Sequence, residues 1–146
     1  MPTEEDLGPR LSGRLTFGLK RAFLELEALH QDRLAPYGIE ARDMAVLLLL
    51  DSREPESQQQ AARRLAVDRT TMVSLIDGLE AKGLVTRRPD TADRRRNVVE
   101  LTDAGRATLT EALRASDEAE AELLAALDAT EAAQFRDMLR RIALRP

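Results

Sequence analysis

Apolar residues recur every three or four positions along most of this chain, and every second position in only one place. Leu15, Leu19, Ala22, Leu26 and Leu29 follow one another at spacings of 4, 3, 4 and 3, and Met72, Leu75, Ile76 and Leu79 keep the same helical rhythm. After Gly83 the period changes. "VTR" and "NVVEL" alternate, are rich in β-branched residues, and flank a Pro-Asp turn. The chain therefore reads as mainly α with one small β-hairpin. Only 3% of its residues are aromatic and none is Trp, so the core falls to Leu, Ala, Val and Ile, which suits helix-on-helix packing.

Turn and cap residues divide the rest. A long helix is expected from Leu11 to about Leu34, ended by "APYG". A second, apolar enough to be buried, covers Ala41 to Ser52 and is broken by "REPES". Ser57 can cap a short third helix, "QQQAARRL". Ala66 and Val67 make a tight turn. Asp68 caps a fourth helix, about Arg69 to Lys82, with Gly83 at its C′ position. The hairpin strands are Leu84 to Arg88 and Asn97 to Thr102, joined by Pro89 to Arg96. Thr102 caps a long helix from Asp103 to about Leu127, and Thr130 caps a last one from Glu131 to about Leu144. The order is α-α-α-α-β-β-α-α.

Several functions are excluded at this stage. Without Cys there are no disulfides, thiolate chemistry or Cys-ligated zinc. One His and no phosphate-binding glycine loop leave no catalytic constellation, so no enzyme, catalytic residue, metal or cofactor is expected. The longest apolar run, Met44 to Leu50, is too short to span a bilayer, and the acidic N-terminal segment has no apolar signal region. A cytoplasmic protein is expected.

Charge is unevenly placed. The chain has a formal net charge of -4, yet Gln58 to Arg96 carries nine Lys/Arg against five Asp/Glu. "RRPDTADRRRN" alone holds five arginines. A basic centre between acidic flanks outlines an anion-binding surface. Two short helices joined by a tight turn and followed by a hairpin describe a winged helix-turn-helix. The fourth helix offers Arg69, Thr70, Thr71 and Ser74 at its start, where side chains can reach base edges in a major groove. Gln58, Gln59 and Gln60 open the preceding helix, where amides and backbone N–H groups can hold phosphate. The hairpin arginines would enter the adjacent minor groove. Asp93, beside Arg94, would hold that guanidinium by a charge-assisted pair.

Asp68 to Gly105, "DRTTMVSLIDGLEAKGLVTRRPDTADRRRNVVELTDAG", resembles the central part of the MarR family of bacterial transcription regulators. The "LEAKGLV" helix end, the "RRPD…DRR" wing and the "LTDAG" helix start occur in the family's order and spacing. The resemblance implies a homodimer. Residues 10–36 and 103–146 would form its helical dimerisation region, and 39–102 its winged DNA-binding lobe. Arg69, Thr70, Thr71 and Ser74 match the base-reading helix, and Asp93 and Arg94 the wing pair, with Arg94 as minor-groove finger. Arg87, Arg88, Arg95 and Arg96 match positions that mostly contact phosphate. Ser74 and Gly78 stand where the family often has basic residues, which shifts readout toward Arg69 and the wing. Ala61 replaces a commoner Leu, so the third helix is expected to pack closer.

Leu15, Leu19 and Leu26, with Leu123, Leu127, Leu139 and Ile142, are candidates for the dimer interface; the rival reading makes them an intramolecular core. A symmetric pair would place two reading helices about 34 Å apart, one duplex turn. The resemblance also implies repression of a pseudo-palindromic site, relieved by a small aromatic or anionic effector. Phe23, His30, Tyr37 and Met44 are the candidate pocket residues, against a plain reading as core side chains and a satisfied structural histidine. A constitutive DNA-binding dimer without effector is the alternative, and a winged helix that binds protein a more distant one.

Overall fold

A computed structural model describes residues 2–52 and 54–144; Arg53, inside the expected break "REPES", lies outside them. In chain order the elements are α1 (Glu4–Leu7), α2 (Pro9–Ser12), α3 (Leu15–Leu34), a 3-10 turn (Ala35–Tyr37), α4 (Ala41–Asp51), β1 (Glu56–Ser57), α5 (Gln58–Arg64), α6 (Arg69–Ala81), β2 (Val85–Pro89), β3 (Asn97–Leu101), α7 (Asp103–Leu123) and α8 (Ala129–Ala143). The fold is mainly helical with one small antiparallel sheet, as expected.

Three local expectations are corrected. The first long helix begins at Leu15, not Leu11. Thr3 caps a separate short helix with Asp6, Pro9 opens another, and that one stops at Gly13. The last helix is capped by Asp128 rather than Thr130: Asp128 Oδ1 accepts from the Glu131 N–H at 2.9 Å, and Glu131 Oε2 accepts from the Asp128 N–H at 2.9 Å. The hairpin is part of a three-stranded sheet, because Glu56 and Ser57 pair with Val99 and Val98. With β1 on one side and β2 on the other, β3 is central and buries both Val98 and Val99. A central strand covered on two faces loses the alternation that its sequence suggests.

The chain divides into two compact units, one from His30 to Ser116 and one comprising residues up to Leu29 and from Asp117 on. The first contains the winged segment and a continuous core. Leu34 and Ile39, Val46 and Leu47 of α4, Met72, Ile76 and Leu79 of α6, Val85 and Val99 of the sheet, and Leu109 of α7 are all buried. Ala61 and Ala62 of α5 are buried too; small side chains let that short helix lie close to its neighbours. The helix-turn-helix corner is a Schellman turn. Val67 N–H donates to Ala62 O at 3.1 Å and Ala66 N–H to Arg63 O at 3.3 Å, with Ala66 left-handed at φ 52°.

The "LTDAG" segment is a docking device. Thr102 caps α7 by accepting from the Gly105 N–H at 3.0 Å, and its hydroxyl donates to Gly83 O at 2.6 Å. Its backbone N–H donates to Leu84 O at 3.1 Å. A Cβ on Gly105 would stand 2.0 Å from the Leu84 carbonyl oxygen, so only glycine fits there. The start of α7 is thereby fastened to the end of α6, and the wing that lies between them in sequence starts and finishes at one fixed point.

The second unit is built differently. No residue of α8 is buried. Arg136 of α8 pairs with Glu120 of α7. Leu15 is 82% exposed, Phe23 59% and Ile142 67%, with Leu19, Met138 and Leu139 also open. No described helix is long and apolar enough to cross a membrane.

Candidate nucleic-acid interface

Three elements of the winged unit converge on one groove. Ser57, Gln58 and Gln59 from the start of α5, Arg69, Met72 and Val73 from α6, and Arg95, Arg96 and Asn97 from the wing line a cleft of about 300 Å³. Each reaches it for a local reason. Ser57 accepts from the Gln60 N–H at 3.3 Å while Gln60 Oε1 accepts from the Ser57 N–H at 2.9 Å, a box that fixes where α5 begins. Arg96 Nη2 donates to Ser57 Oγ at 3.2 Å, so the wing base is joined to that same helix start. Gln60, expected among the phosphate-holding residues, has its oxygen engaged in the cap and lines a different cleft, of about 530 Å³, with Glu56, Arg64 and Asp90.

Helix α6 starts at Arg69 because Asp68 caps it. Asp68 Oδ1 accepts from the Thr71 N–H at 2.8 Å and Oδ2 from the Thr71 hydroxyl at 2.7 Å. These two bonds hold the Asp68 carboxyl below its ordinary pKa. Thr71 therefore commits its hydroxyl proton to the cap. Arg69, Thr70 and Ser74 are exposed. Gly78 has open space where a side chain would stand, so that part of the helix presents bare backbone.

The wing loop is held by its own aspartates. Asp90 Oδ1 accepts from the Ala92 N–H at 3.0 Å, and Asp93 Oδ1 from the Arg95 N–H at 3.1 Å. Asp90 N–H and Arg96 O close the loop at 2.8 Å. The expected Asp93–Arg94 pair is replaced. Asp93 Oδ1 takes Arg95 Nε at 3.3 Å, because the local turn already brings residue 95 to that oxygen. Arg94 is exposed and has no hydrogen-bond or ion-pair partner among the described residues. Arg88 pairs with Glu100 across the hairpin at 3.0 Å. Arg87 is drawn inward by Gln58, Asp77 and Glu80.

The sites expected at Gln58, Gln59, Arg69, Arg95 and Arg96 are thus brought to one groove, with Arg94 beside them on the wing. Asn97 also lines it and was missed, since a polar residue opening a strand carries no signal of its own. The groove offers N–H donors and guanidinium charge, with no group suited to proton transfer. Such a lining suits an anion.

Of the expected effector residues, His30 is buried, with Nε2 2.9 Å from Ser116 Oγ, and Met44 is in the core. Tyr37 is partly exposed in the 3-10 turn. Neither of the two clefts described contains any of the three. Phe23 belongs to the other unit.

Residues 37–96 match the model of the MarR family. The chain is 30% identical over 127 residues to the Escherichia coli transcriptional regulator HosA, covering 84% of this chain and 94% of HosA. It belongs to the MarR family. A further relative is the HTH-type transcriptional repressor NicR of Pseudomonas putida, 32% identical over 91 residues; that match takes in 62% of this chain and 58% of NicR. Among solved structures, the repressor CouR bound to a 23-mer DNA duplex is 32% identical, with a TM-score of 0.87 and 99% of each chain covered. CouR from Rhodococcus jostii bound to p-coumaroyl-CoA is 31% identical, with a TM-score of 0.81, 93% of this chain and 96% of CouR covered. MarR-type relatives are transcriptional regulators rather than enzymes, and this chain is a DNA-binding regulator of that type.

Proposed function

We propose that this MarR-family protein is a homodimeric repressor that grips a pseudo-palindromic duplex through the α5–α6–wing groove and is released by a small effector. The observation that carries the reading is the groove itself. Arg69, Arg95 and Arg96 from distant parts of the sequence share it, and Arg94 stands unpaired beside it. Guanidinium groups gathered on a chain of net charge -4 suit a polyanion. CouR on its duplex supports DNA as that polyanion, and repression is the mode named for CouR and NicR. The open leucines of the terminal unit support a second copy. The p-coumaroyl-CoA complex of CouR supports an aromatic, anionic effector. Repression of chromosomal sites would place the protein in the cytoplasm.

The test is a titration with duplexes selected from a random pool, at several salt concentrations. The expected result is a preferred site whose affinity falls with a log–log slope of about 0.9 per phosphate neutralised. Binding that is flat with salt, or equal with and without duplex preference, overturns the reading. Aromatic acids and their coenzyme A thioesters, added to the bound complex, then decide between a releasable repressor and a constitutive one.

A further inference from the structure

Arg87 resembles its neighbours in sequence and differs from them in place. Its side chain is only 18% exposed, against 93% for Arg95. Nε and Nη2 donate to Gln58 Oε1 at 3.0 and 2.7 Å, Nη2 also to Asp77 Oδ1 at 2.6 Å, and Nη1 to Glu80 Oε1 at 2.8 Å. The backbone N–H of Arg87 donates to Glu80 Oε2 at 3.2 Å. Two carboxylates of α6 therefore hold the guanidinium, and it holds the first residue of α5.

The consequence falls on Gln58. A primary amide has an acceptor oxygen at one end and a donor NH2 at the other. A guanidinium accepts nothing, so only the oxygen can face it. Both bonds from Arg87 converge on Oε1, and the NH2 group is the one left for the groove that Gln58 lines. Without Arg87 the amide is free to turn either end outward.

We propose that Arg87 is a positioning residue for DNA recognition: anchored by Asp77 and Glu80, it fixes the Gln58 amide as a hydrogen-bond donor toward an acceptor of the bound duplex, a phosphate oxygen or a base edge. The inference rests on the groove being the DNA interface. It makes Arg87 act through Gln58 rather than by touching phosphate, and it links α5, α6 and the wing at one side chain.

Lysine separates the two roles. It is a competent phosphate ligand but cannot reproduce a forked contact with three partners. Arg87→Lys is expected to bind the selected duplex about tenfold more weakly, the size of one good hydrogen bond, with the salt slope unchanged. Gln58→Ala is expected to cost about tenfold in the wild-type background and nothing further beside Arg87→Lys, as coupled positions behave. Gln58→Glu keeps an acceptor for Arg87 and replaces the donor with an anionic oxygen. It should melt no lower than wild type and bind at least tenfold more weakly; should Arg87→Lys fail to fold, this variant decides alone. A loss on every duplex assigns the acceptor to phosphate, and a loss confined to the selected sequence assigns it to a base. Wild-type affinity for Gln58→Glu, or equal costs of Gln58→Ala in both backgrounds, overturns the inference. No duplex binding by the wild-type chain overturns the interface reading first, and this with it.

Discussion

The winged unit and the terminal unit draw on the same residue types and treat them in opposite ways. Leu34, Leu47 and Leu79 of the first are fully buried; Leu15, Leu19 and Ile142 of the second stand open to solvent. Both sets repeat at helical spacing, so periodicity does not distinguish them. What differs is supply. The winged unit brings α4, α5, α6, the sheet and the start of α7 around one core. The terminal unit has too few elements to cover its apolar faces, and no residue of α8 is fully buried. One region is complete as a single chain. The other has the composition of a core and leaves it open, as the proposed second copy would require.

Matched leucine substitutions break this comparison most directly. Leu19→Asp should split the proposed dimer. Each Leu side chain removed from water is worth about 1.5–3 kcal/mol, and a two-fold interface loses two of them while gaining two carboxylates. Light scattering should report the monomer mass, with wild type at twice that value; an unchanged mass would remove α3 from the interface. Leu47→Ala should cost about 2–5 kcal/mol by leaving a cavity in the winged core. Its melting loss should be the same at every protein concentration, whereas that of Leu19→Asp should shrink on dilution of the wild type. If both losses varied with concentration alike, the winged unit would not be self-sufficient.

Within the winged unit a second contrast, between arginines, is next in size. Arg94→Ala removes an unpaired guanidinium and should weaken duplex binding by about 1–3 kcal/mol while leaving the melting temperature in place. An unchanged affinity in an anisotropy titration would take the wing out of the interface. This contrast marks how far the sequence could be read. Ser57, Asp68 and Thr102 were legible as caps because a cap depends on residues two or three positions away. The same local rule favours Asp128, which has Glu131 three positions on, over Thr130, which has Ala133 there; the signal was present and the nearer Thr obscured it. Strand β1 was not legible, since two residues have no period and pair with Val98 and Val99 far along the chain. The five arginines around the wing were legible as a cluster but not as individuals. That Arg87 and Arg88 turn to carboxylates depends on Asp77, Glu80 and Glu100, which only the folded chain brings near.

The smallest effect sharpens the boundary between holding the fold and reading DNA, and Asp68 sits on it. Its carboxylate caps α6 and also accepts a hydrogen bond from the Thr71 hydroxyl. Both bonds favour the charged form, so the folded-state pKa lies below the ordinary 3.8. A lowered value means that the contribution to stability is fully present above 3.8 and disappears as pH falls through the folded value. Asn ranks beside Asp as a cap and can still accept from the Thr71 N–H, but its amide NH2 cannot accept from the hydroxyl. Asp68→Asn should therefore melt slightly below wild type at neutral pH, with the gap closing in acid. A gap constant with pH would mean that the second oxygen holds nothing. The same change lets the amide NH2 donate to Thr71 Oγ1 instead, which releases the hydroxyl proton, and it removes a negative charge next to Arg69, so duplex affinity should rise as stability falls. Opposite signs in the two readouts would show that this carboxylate fixes the helix start at some cost to the attraction of the groove for phosphate.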